Sequence, residues 1–124
     1  MANPNLLAAT TASGTTTYYT PGGTTAVVLL ANAASSGQVY KINQIVCANV
    51  NGSSAVNATV AINSAAAGAG TNYPIISTIS VPASASVIAV DKTTAVYLME
   101  NSSIVVTSGT ASGITYTISY EVIS

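Results

Sequence analysis

Few groups in this chain could do chemistry. There are three carboxylates (Asp91, Glu100, Glu121), two amines (Lys41, Lys92), one thiol (Cys47) and seven phenols, with no His and no Arg. Two carboxylates held close together can cleave a glycosidic bond. Here Asp91 falls at a strand end, Glu100 in a turn and Glu121 on the polar face of the last strand, so they read as solvated surface charges. Without His, a Ser-His-Asp or Cys-His nucleophile is impossible, and zinc and haem lose their commonest ligand. A Ser-x-x-Lys pattern is absent, since Gln38 precedes Lys41 by three and Ala89 precedes Lys92 by three. Gly68-Ala69-Gly70 lacks the Lys that follows in a phosphate loop. With two Lys as its only cationic side chains the chain offers little to neutralise phosphates, so nucleic-acid binding is not expected. No catalysis, no cofactor and no metal is expected.

The phenols are the remaining candidates. Tyr116 and Tyr120 share the expected inward face of the last strand with Ile114 and Ile118, which places them in the core. Tyr rings otherwise favour interfaces, where the ring is covered and the hydroxyl stays hydrogen-bonded. Tyr18, Tyr19, Tyr40 and Tyr73 are therefore the candidate assembly contacts. A sugar-stacking platform is the alternative use, and the absence of Trp counts against it.

The elements that position these groups read as strands. Charged residues make up 4% of the 124, against roughly 25% in an average soluble protein. The surface must then be Ser, Thr, Asn, Gly and Ala, with a net charge of −1 that does little to keep copies apart. β-Branched residues are abundant and suit a pleated sheet. Val56–Asn63 alternates Val56, Ala58, Val60 and Ile62 against Asn57, Thr59 and Asn63, and Ile114–Val122 alternates in the same way. Further strands are expected at Thr25–Leu30, Gln38–Val50, Tyr73–Val81, Ser86–Asp91, Ala95–Met99 and Ile104–Thr107. Turn residues separate them, among them Asn51-Gly52, which reads as a hairpin turn between Gln38–Val50 and Val56–Asn63. Ala65–Asn72 reads as a flexible loop.

About eight short strands imply an all-β fold, a single antiparallel β-sandwich of jelly-roll or immunoglobulin type. Residues 1–17 show no period and are expected to form an extended N-terminal arm, with the sandwich over 18–124. Cys47 has no partner and reads as a small buried hydrophobe. Met1–Thr10 has no basic residue and too short an apolar stretch for a signal peptide. No run reaches the roughly 20 residues of a membrane span.

Some of these segments have a family likeness. Tyr19-Thr20-Pro21-Gly22-Gly23-Thr24-Thr25-Ala26-Val27-Val28, Ile79-Ser80-Val81-Pro82-Ala83-Ser84-Ala85-Ser86 and Ser119-Tyr120-Glu121-Val122-Ile123-Ser124 resemble stretches of small β-sandwich virion structural proteins of tailed bacteriophages. Ser102-Ser103 departs from the Gly-Asp usual there. The resemblance implies a capsid decoration or cement protein that binds the major capsid protein or other virion subunits. It would be a homo-oligomer, with a trimer favoured, located on the virion after synthesis in the host cytoplasm. A tail, neck, fibre-attachment or other filament subunit is the structural alternative, and a host-glycan-binding module the alternative of another class.

Overall fold

A computed structural model describes residues 6–124. Nine strands form: β1 (Ala12–Tyr19), β2 (Val27–Asn32), β3 (Val39–Asn49), β4 (Val56–Asn63), β5 (Asn72–Val81), β6 (Ser86–Val90), β7 (Val96–Leu98), β8 (Ser102–Ser108) and β9 (Ile114–Ile123). One 3-10 turn, Lys92–Thr94, lies between β6 and β7. The strands make two antiparallel sheets. One runs β1-β9-β3-β6, with β7 also on β3, and the other runs β2-β8-β4-β5. Most connections cross from one sheet to the other. That interleaved order is a jelly roll, and it settles the choice left open against the immunoglobulin order.

The core lies between the sheets. Ile42, Ile45 and Cys47 of β3 and Ile114, Tyr116, Ile118 and Tyr120 of β9 face Val56, Ala58 and Val60 of β4 and Ile104 and Val106 of β8, all buried. Each Val or Ile so buried is worth about 1.5–3 kcal/mol. The alternation expected for the last strand holds from Ile114 to Tyr120. Tyr116 spans the sandwich, its hydroxyl donating to the Thr107 carbonyl on the opposite sheet.

Four expectations change. Ala12–Thr17, expected in the arm, continue with Tyr18 and Tyr19 as β1, paired residue for residue with β9. Both faces of β1 are largely exposed, so no hydrophobic period marks it; residues 1–5 of the expected arm lie outside the described residues. Asn51-Gly52 is no hairpin turn, because β3 and β4 belong to opposite sheets. β8 begins at Ser102, two residues before the expected start at Ile104. In β4 the expected faces hold, with Val56, Ala58, Val60 and Ile62 turned to the core and an unbroken register against β8, and the register shifts against β5 fall on extra residues of β5. Asn63 keeps its place on the face of Asn57 and Thr59 but is fully buried there, beneath the loop that follows.

Buried asparagines terminate three strands, and each organises the loop that follows. Asn32 Nδ2 donates to the Gln38 and Leu98 carbonyls, and its Oδ1 accepts from Ser36 Oγ. Asn49 Nδ2 donates to the carbonyls of Ser54 and Val81, and its Oδ1 accepts from the Asn51 N–H. Asn63 Nδ2 donates to the Gly68 and Gly70 carbonyls and to Asn72 Oδ1, while its Oδ1 accepts from the Ala65 and Gly70 N–H groups. The last network binds the Ala/Gly loop expected to be flexible. An amide side chain can fill this role because it offers donors and acceptors together, matching both the N–H and the C=O groups of a loop backbone.

Candidate functional site

The charged groups are dispersed. Asp91 caps the 3-10 turn, accepting from the Thr93 and Thr94 N–H groups and from the Thr93 hydroxyl, and the Thr93 bonds hold its carboxyl below the usual range. Glu100 accepts from the Gly37 N–H. Glu121 lies on β9, opposite Lys41 of β3 and Gly14 of β1. No group of three or more His, Cys, Asp or Glu able to hold a metal exists among the described residues. Cys47 is buried, and burial pushes its thiol up to about 12, so it stays protonated and unreactive at neutral pH.

A shallow cleft of about 420 Å³ lies on the outer face of the β1-β9-β3-β6 sheet, lined by Asn43, Gln44, Asp91, Lys92 and Ser119. It forms where β3 bulges against β9 between Ile42 and Gln44, which turns two successive amides outward.

The four candidate tyrosines do not converge. Tyr18 and Tyr19 end β1, 76% and 46% exposed. Tyr40 is half-buried at the core rim, its ring 5.4 Å from that of Tyr120 and its hydroxyl bonded to Gln38 Oε1. Tyr73 is exposed near the start of β5. Antiparallel pairing puts the end of β1 and the start of β5 at opposite ends of the sandwich, and the two strands border different sheets.

A feature that composition alone does not mark is the free edge of β1. This strand borders its sheet and pairs only with β9 among the described residues. It has eight residues, no charge, no Pro and no register shift. A row of unpaired N–H and C=O groups in such a strand is a template for another strand. Its absence of hydrophobic period hid it; a run of Thr ending in two Tyr was the available signal.

No known protein family matches this sequence, and no curated protein matches it. Among solved structures, a chain from Bacillus endospore appendages, which form disulfide-linked pili, is similar in fold. Its TM-score is 0.54 at 17% identity, with 99% of this chain and 95% of that chain covered. A chain of infectious bursal disease virus aligns with a TM-score of 0.39 and 10% identity over 91% of this chain and 30% of that one, too distant to weigh. The first likeness shows a shared sandwich architecture across nearly the whole of both chains.

Proposed function

We propose that this protein is a non-enzymatic structural subunit that works packed against other subunits of a many-copy assembly. The observation that carries the reading is the unguarded edge of β1 on a molecule whose surface has almost no charge. Charges and prolines at sheet edges keep copies apart, and this edge has neither. Neutral polar surface also loses less on desolvation than charged surface, so contacts formed over it cost little to make. Each contact made only in the assembled state stabilises that state by mass action.

The placement suggested by the resemblance in the sequence is the shell of a tailed phage, as a decoration or cement protein on the major capsid protein. A filament subunit is the second reading, favoured by the fold shared with a chain of pilus-forming appendages. Electron microscopy of the purified full-length chain, alone and mixed with shells lacking it, separates the two. Ordered binding to shells in hundreds of copies supports decoration. Filaments from the chain alone support the second reading. A chain that stays monomeric at high concentration and binds no shell overturns both.

A further inference from the structure

We propose that β1 pairs antiparallel with β1 of a second copy about a two-fold axis at Thr16; this deepens the assembly reading above and rests on it. The register follows from hydrogen-bond parity. Thr11 and Ser124 exchange both backbone bonds, at 3.1 Å each. The β1–β9 register then runs without a shift from Ala12–Ile123 to Tyr19–Tyr116. Bonded and non-bonded residues alternate in an antiparallel ladder. The odd-numbered residues of β1 thus bond to β9, and the N–H and C=O groups of Ala12, Gly14, Thr16 and Tyr18 point to the free edge.

Across that edge, opposite residues must both be even or both be odd. Two symmetric registers use most of the strand, one centred on Thr15 and one on Thr16. The Thr16 register sets Tyr18 opposite Gly14 and Tyr19 opposite Ser13, with Thr15 opposite Thr17. Each exposed ring is matched to a small residue of the strand. A Cβ built on Gly14 meets nothing within 4 Å, so there is room for the partner's Tyr18 ring. Covering a strand glycine with a cross-strand aromatic is a known stabilising arrangement. The Thr15 register instead sets Tyr18 opposite Ala12 and leaves Gly14 facing Thr16. No charge of β1 opposes the pairing in either case.

The other edges suit this contact less well. β5 carries Pro74, register shifts and Thr78 at φ 47°, β2 shifts register after Val28, and β6 has only five residues. A β1–β1 pair would join two five-stranded sheets into one of ten strands. The contact uses the same patch on both copies and closes as a dimer. The elementary self-contact is then two-fold, where the resemblance in the sequence implies a trimer.

The test is a cysteine scan of the full-length chain with native mass measurement. Thr16→Cys should cross-link to a covalent dimer under mild oxidation, because residues facing each other on the axis lie about 5.5 Å apart at Cα, within disulfide reach. Thr15→Cys should cross-link far less, and native Cys47 is buried and serves as an internal negative. Thr16→Lys should weaken the dimer about tenfold or more by facing like charges, with an unchanged melting curve as proof of folding. Cross-linking through Thr15→Cys in place of Thr16→Cys overturns the register. No cross-link from either, with unchanged mass in Thr16→Lys, overturns the pairing. Shell binding or filaments without β1 cross-links would sink this contact and leave the assembly reading standing. Dimers that go no further would sink the assembly reading and leave the contact.

Discussion

β1 and β5 are both sheet borders, yet they handle their exposed backbone in opposite ways. β5 interrupts its edge with Pro74, bends it through two register shifts and turns Thr78 into the left-handed region at φ 47°. Its start is also tied to β4 by the Asn63 network. β1 has no proline, no charge and no shift, and is extended over all eight residues. The same chain thus carries one edge that resists pairing and one that invites it. Edge protection is therefore a local choice, to be read strand by strand and not from composition.

The comparison can be broken most forcefully at its anchored side. Asn63→Ala should cost about 3 kcal/mol, since it removes a buried amide that bonds five backbone and side-chain groups of the loop, and chemical denaturation would show it. A loss below a few tenths would mean that water replaces the amide. Gly68→Ala in the same loop should cost about 2 kcal/mol. Its φ of 78° disfavours any side chain, and a Cβ there would sit 2.8 Å from Val28 Cγ2. Tyr116→Phe tests the link between the sheets and should cost about 1 kcal/mol in the melting curve, with the fold kept.

Removing the guard of β5 is gentler. Pro74→Thr should change stability by about 0.5 kcal/mol or less, as surface changes do, while raising concentration-dependent association seen by light scattering. No rise would show that the register shifts alone protect that edge. The smallest effect concerns Cys47, which should not react with a thiol reagent at pH 8 until the protein unfolds. Its folded pKa is raised, so the native state holds the proton that the unfolded thiol releases. The stabilisation it contributes is whole below the unfolded value near 9 and is lost as pH rises towards about 12.

The central strands were legible because a period of two with β-branched residues has one physical meaning, a face turned to a core. Tyr116, Ile118 and Tyr120 show it plainly. β1 was not legible, because a strand exposed on both sides needs no apolar alternation. The burial of Asn63 went unmarked for a related reason. Polar residues read as solvent-exposed unless their hydrogen-bond partners are known, and those partners come from a loop two to nine residues on. The pairing across Asn51-Gly52 failed because turn residues report a change of direction and not which sheet the chain enters next. Of the candidate contacts, Tyr40 shows what sequence spacing cannot: it leans on Tyr120 inside one molecule.

The two lysines give the architecture a further property. Lys41 lies within β3, paired on both sides by β9 and β7, and Lys92 sits in the short 3-10 turn capped by Asp91. A protease that cuts after basic residues would find one candidate bond within a hydrogen-bonded central strand and the other in a capped turn. A particle or filament covered with such subunits would present an enzyme that cuts after Lys or Arg with a surface nearly empty of cleavage sites.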